Sequence, residues 1–201
     1  TLGRPDFDII SAWIEPGHRV LDLGCGDGTL LKHLIDTRGV HGVGVDVDDA
    51  NILAAIKNGI NVLQGNLEKG LDEFTDQSFD HVVLSRTLQT VRHTEGVLRE
   101  MLRVGRHAIV SFPNFAYWRI RLHLIFKGTL PISPALPYAW YNTPNIRLIT
   151  LADFTDFCRV QGFDIIARVA LDSRNARHPR RVCTAVNWRA EYGIFLLGRK
   201  G

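Results

Sequence analysis

Cysteine is scarce in this chain, with three in 201 residues, at positions 25, 158 and 183. They fall at no metal-ligand spacing, and three thiols cannot all pair. A zinc site and a disulfide-stapled secreted fold are therefore not expected; a reducing, cytoplasmic setting is. No apolar run is long enough to span a bilayer, and no signal-peptide pattern opens the chain, where Asp6 and Asp8 interrupt the start. No RNA- or DNA-binding motif is present either, so neither a membrane nor a nucleic acid is an expected partner. What remains is a globular composition, 45% hydrophobic and 22% charged, in a length that suits one domain with a sizeable core.

Charge is unevenly placed within the net +3. Residues 1–112 hold 11 Lys/Arg against 16 Asp/Glu, and residues 113–201 hold 13 against 5. A basic second half suits an acidic partner or an anionic small molecule, or simply a solvated arginine-rich surface.

The richest stretch is 20–28, Val-Leu-Asp-Leu-Gly-Cys-Gly-Asp-Gly. Val20, Leu21 and Leu23 suit a buried strand. Gly24, Gly26 and Gly28 suit a tight turn into a helix from Thr29, since glycine is needed where φ is positive or a ligand approaches the backbone. The dinucleotide fingerprint G-x-G-x-x-G is close, but here the third glycine comes one residue early. An acidic side chain such as Asp22 also gains nothing beside a pyrophosphate. The pattern instead resembles motif I of class I S-adenosylmethionine (SAM)-dependent methyltransferases, whose ligand carries a sulfonium and an ammonium that Asp22 and Asp27 would welcome.

Periodicity and stop signals predict strands at 40–47, 60–64, 79–84, 107–112, 163–169 and 192–197, besides the one entering the glycine turn. Helices are predicted at 29–37, 49–58, 94–104 and 151–161, with 119–127 ambiguous between strand and helix and read as helix. Regular β/α alternation implies a parallel sheet with helices on both faces. Residues 172–189, with Pro179 and five arginines, read as a loop. Asp46, ending the second strand, is placed to bond vicinal ribose hydroxyls. The stretch 113–147 holds seven of the 18 aromatic residues and five prolines. So long an irregular insert is usually functional, and it is expected as a cap, within one domain spanning 1–201.

Several later stretches, LSRTLQTV (84–91), EMLRVGRHAIVSFPNF (100–115), LPYAWYNTPNI (136–146) and YGIFLLGR (192–199), join VLDLGCGDGTLL (20–31) in resembling the MetW methionine-biosynthesis family over nearly the whole chain. Two positions depart from that family's commoner residues: Asp46 stands for Glu, and Asn66 for Asp. The resemblance implies a Rossmann-like class I methyltransferase fold, with a seven-stranded, mostly parallel sheet of order 3-2-1-4-5-7-6. It implies a SAM or S-adenosylhomocysteine (SAH) site without metal, and a partnership with MetX, the homoserine O-acyltransferase. By motif position it assigns the backbone groups of Gly24, Cys25 and Gly26 to the methionine portion, Asp46 to the ribose, and Val47, Asn66 and Leu67 to the adenine, with Asp22 and Gly28 also in the cofactor site. Ser85, with Arg86, is assigned to the methionine carboxylate.

The substrate half is not legible. His93, His123, Tyr117, Tyr138 and Tyr141 are the candidate bases, and none stands in a recognisable acceptor motif. Two readings follow: a binding module that supports or regulates the acyltransferase with SAM as a pathway signal, or a methyltransferase with an unidentified acceptor. Fold alone does not choose between them.

Overall fold

The computed structural model describes residues 4, 6–172 and 180–199. Its centre is one mixed sheet. The strands are β1 (Arg19–Leu23), β2 (His41–Asp46), β3 (Val62–Gln64), β4 (Phe79–Ser85), β5 (Gly105–Pro113), β6 (Phe163–Asp172), β7 (Arg180–Arg181) and β8 (Tyr192–Arg199). They lie in the order β3-β2-β1-β4-β5-β8-β6-β7. The pairings among β1 to β5 are parallel, while β8 runs antiparallel between β5 and β6. The expected order therefore holds, with the final strand inserted as anticipated, and a two-residue edge strand, β7, makes eight where seven were expected.

Apolar alternation along each strand splits the core in two. Leu21, Leu23, Val82, Leu84 and Val110 pack with α4 (Thr94–Val104) and α6 (Leu151–Gln161) on one face. Val20, Val83 and Ile109 pack with α1 (Asp6–Trp13) and α2 (Thr29–Arg38) on the other, where α3 (Asp49–Lys57) adds Ala55. Helix α1 is an element the sequence reading passed over, although Phe7, Ile10 and Ile14 stand at helical spacing and are buried. The expected loop at 172–189 is corrected at its described ends: Asp172 belongs to β6, 180–181 form β7, and Val186–Arg189 form a one-turn helix, α7. Its residues 173–179 lie outside the described ones. The ambiguous stretch is a helix, α5 (Trp118–Lys127).

Residues 113–149 cross the carboxyl end of the sheet. Their base is closed by Phe115 N–H donating to Ile149 O, and Ile146 and Arg147 N–H both donate to Gln89 O beyond β4.

At the opposite end of the strands, His81 stacks between His18 and His107, with ring centroids 5.3 Å away on each side. Burial pushes His81 down to about 4; His107 and His18 add to the shift and Asp80 opposes it. The unfolded imidazole takes up a proton near pH 6.5 that the folded one refuses until about 4, so stability should fall as pH drops through that window. Urea midpoints at pH 7 and pH 5 check this. The loss on acidification should shrink in His81→Gln, and an equal loss would rule His81 out as its source.

Candidate functional site

The glycine turn has the conformation its composition predicts. Gly24, Gly26 and Gly28 take φ of 67°, 59° and 73°. Two of them also permit close packing. A Cβ on Gly24 would lie 2.8 Å from the Thr87 side chain, and one on Gly28 would lie 2.8 Å from Ile60. Space beside Gly26 is open, with nothing within 4 Å of such a Cβ. Helix α2 starts at Thr29, whose N–H and hydroxyl both donate to the Asp27 carboxylate. One Asp27 oxygen is thus engaged at the helix start, while the carboxylate stays exposed and keeps its charge.

The turn's own donors are already engaged. The N–H groups of Gly24 and Cys25 donate to Val45 O at 2.7 and 3.1 Å. Gly26 N–H donates to Asp46 Oδ2 at 2.8 Å. The other Asp46 oxygen accepts from Asp48 N–H and the Asn51 side chain. Asp46 therefore clamps the glycine turn to the end of β2. Asp22 is buried on β1, and its carboxylate takes no side-chain hydrogen bond among the described residues. Burial pushes it up to about 7, with the Arg4 charge opposing and Asp46 adding. The mouth of the site is thus rich in acceptors and poor in donors, which suits a ligand with a cationic end.

Cys25 is a packing residue. Its Sγ fills the space left by Gly44, and burial, then the charges of Asp22 and Asp46, push the thiol up to about 12. Such a thiol is inert at neutral pH. Val47, immediately after the Asp46 clamp, is 66% exposed, an apolar surface available to a flat ring. Asn66 caps a short 3-10 turn, with its Oδ1 accepting from Glu68 N–H. That oxygen, expected at the adenine edge, already holds one bond, while its amide nitrogen remains a donor. Asn66 and Leu67, with Val45, Gln64 and Gly65, line a cavity of about 210 Å³.

Ser85 belongs to a cluster that sequence spacing did not show. The Asp6 carboxylate accepts from Arg4, Ser85 and Arg86. Ser85 also accepts from Arg4 and lies 3.1 Å from the Ser111 hydroxyl. Burial alone would raise Asp6, but the Arg4 hydrogen bond and the charges of Arg86 and Arg4 outweigh it and hold the carboxyl below its usual range. Arg86 adopts φ of 58°, unusual for a side chain of its size, and lies over the Tyr192 ring. The only advance signal for this cluster was the helical spacing of α1.

The candidate bases occupy separate settings. His93 lines a groove of about 780 Å³ between α4, α6 and residues 146–149, and none of the motif-assigned residues lines that groove. His123 is paired with Thr129, Tyr117 is buried, and Tyr138 and Tyr141 are exposed. Among the described residues no group of His, Cys, Asp or Glu is arranged to hold a metal ion.

Residues 4–197 match the family model described as methionine biosynthesis protein MetW. A relative from Rhodopirellula baltica, a bifunctional methionine biosynthesis protein MetXA/MetW, is 44% identical over 160 residues. The match covers 75% of this chain and 26% of that protein. A ubiquinone/menaquinone biosynthesis C-methyltransferase from Ectopseudomonas mendocina is 31% identical over 120 residues, covering 53% of this chain and 46% of the relative. The chain thus spans about a quarter and about half of these two relatives. An S-adenosylmethionine-dependent methyltransferase structure from Mesorhizobium loti superposes with a TM-score of 0.67 over 96% of both chains, at 19% identity.

Proposed function

The chain belongs to the MetW family of methionine biosynthesis proteins, and from that premise we propose that it binds SAM or SAH and acts with MetX, the homoserine O-acyltransferase, in the homoserine-to-methionine route. The single observation that carries the ligand is the polarity of the glycine turn. The N–H groups of residues 24–26 are satisfied internally, while the buried Asp22 carboxylate takes no side-chain hydrogen bond among the described residues. A dinucleotide pyrophosphate would need those donors. A sulfonium or ammonium needs the acceptors.

In this reading Asp22 and the turn at Gly24, Cys25, Gly26 and Gly28 receive the amino-acid end. Asp46 holds the ribose by exchanging its bond to Gly26 N–H for the hydroxyls. Val47 packs on the adenine, with Asn66 and Leu67 at its edge, and Ser85 and Arg86 meet the carboxylate. Residues 113–147 cap the site. When bound, SAM supplies a methyl group activated by the sulfonium. The chain's own residues bind, orient and exclude water.

The MetX partnership is supported by the bifunctional relative, in which MetXA and MetW share one polypeptide. Among the described residues no helix is long and apolar enough to cross a membrane. The match to a biosynthetic family supports reading this as a protein of the cytoplasm. Methyl transfer to an unidentified acceptor is the second reading, favoured by the similarity to the quinone C-methyltransferase. The scattered settings of the candidate bases weigh against it.

Two measurements test the proposal. Calorimetry should give saturable heats with SAM and SAH, and no heat from either would refute the ligand. Copurification with MetX should leave the acyltransferase more active or more soluble than it is alone. A MetX indifferent to this protein would refute the partnership. Methyl incorporation from labelled SAM into a cell extract would move the conclusion to the second reading.

A further inference from the structure

From Met101 to Ala152 the chain contains no Asp or Glu. The same stretch holds exposed apolar side chains, including Ile125, Ile132 and Tyr141, with Phe126 77% and Trp140 75% exposed. So many exposed apolar side chains in one segment are uncommon on a surface that meets only water. Aromatic residues and Arg without acidic residues are instead the composition of protein–protein contacts.

The charge is as one-sided as the composition. Arg119, Arg121, Lys127 and Arg147 belong to this stretch, and among the described residues none of them pairs with a carboxylate. Arg121 lies over the Trp188 ring and donates to Ala116 O, and Arg147 donates to Val91 and Arg92 carbonyls. These contacts fix the side chains and leave their charge uncompensated. By contrast, Arg4, Arg86 and Arg99, outside this stretch, and Arg103 and Arg106, at its start and before residue 118, each have an acidic partner.

We propose that the exposed face of residues 118–148 is the surface that docks MetX, through an acidic patch on the acyltransferase that accepts the Phe126 and Trp140 side chains. This rests on the partnership proposed above and adds where the partner sits and what chemistry its surface carries. The uncompensated cations select an acidic partner, and the fused relative supplies the candidate. The segment's base is tied to the sheet's carboxyl end through Phe115, Ile149 and Gln89. A partner seated on it would therefore report to the region of the glycine turn.

The test uses the full chain and purified MetX from the same organism, with binding followed by analytical ultracentrifugation at low and high salt. Trp140→Ala with Phe126→Ser, and separately Arg119→Glu with Lys127→Glu, should each weaken association at least tenfold with the thermal midpoint unchanged. Val160→Ser, an exposed change on α6, should leave association intact. Wild-type affinity should fall as salt rises. If wild type binds MetX and both double variants bind equally well, this surface assignment is overturned while the partnership stands. If wild type does not bind MetX at all, the partnership falls and the assignment with it. Self-association of the chain lost in the same variants would assign the face to a second copy and overturn the proposal. Binding to phosphatidylglycerol vesicles lost in those variants would assign it to a lipid surface, with the same consequence.

Discussion

Asp22→Asn should raise the thermal midpoint of the ligand-free protein at pH 8 and weaken SAM binding at the same time. The carboxylate is buried, takes no side-chain hydrogen bond among the described residues, and is pushed by burial up to about 7. In the unfolded chain it titrates near 3.8. Between those values the folded protein holds a proton that the unfolded chain has released. Stability therefore falls as pH rises through the window, and the full cost is present above 7. A shift of this size corresponds to about 4 kcal/mol, and burying an amide with few partners returns about 2 of it. The net gain is roughly 2 kcal/mol, or about 4–8 °C in a chain of this size. The gain should shrink as pH falls below 7 and be gone by about pH 3, below both titration points, where the carboxyl is protonated in both states. A cationic ligand binds the ionised form, so wild-type affinity for SAM should climb with pH through 7, and the Asn variant should lack that climb and bind at least tenfold more weakly. An Asn variant less stable than wild type at pH 8 would overturn the assignment of Asp22 as a buried charge without a side-chain hydrogen bond.

The burial of Asp22 explains why it stands out in the sequence. An acidic residue inside a buried apolar strand conflicts with its local setting, and conflicts of that kind are visible in sequence. The same holds for the glycines, whose positive φ no other residue adopts cheaply. Helices 94–104 and 151–161 were found to the residue because Gly105 and Gly162 stop them. Edge strand β7 was missed because Arg180–Arg181 is too short and too polar to carry a period.

What the sequence could not carry was the closing of the site upon itself. The Asp46 bond to Gly26 N–H and the Arg4–Asp6–Arg86 cluster join residues 20 to 80 positions apart, through contacts that exist only once the sheet has formed. Asp46 is expected to meet a ligand, and its oxygens also accept from Gly26 and Asp48 N–H and the Asn51 side chain. The ribose contact proposed above would use the same oxygens, so binding would exchange one set of bonds for another. Position in a motif identified the residue but not the occupant of its hydrogen bonds.

Replacing Asn114 should be among the most destabilising changes in the molecule outside the apolar core, and Asn114→Ala should lose several kcal/mol. Asn114 is fully buried at the end of β5. Its amide nitrogen donates to Asn187 O at 3.0 Å and Ala190 O at 2.8 Å, and its oxygen accepts from Ala116 N–H and Leu151 N–H at 3.2 and 3.3 Å. One side chain thereby joins the exit of β5, the start of α6 and the turn into β8. Truncation leaves two donors and two acceptors short of partners, each worth about 1–3 kcal/mol when buried, for a total of roughly 3–5 kcal/mol because the losses share one cavity. Asn114→Asp keeps both acceptor contacts but sets carboxylate oxygen against two carbonyls, and should be at least as damaging at neutral pH. A packing role would predict the reverse order, since Asp conserves volume and Ala does not. Urea unfolding of the two variants decides between these, and hydrogen exchange at Ala116 and Leu151 N–H localises the damage. Because those amides flank the base of residues 113–149, exchange there should accelerate before the sheet amides of β1 and β4 do. Equal protection at all of them in Asn114→Ala would mean that the side chain does not hold the segment in place.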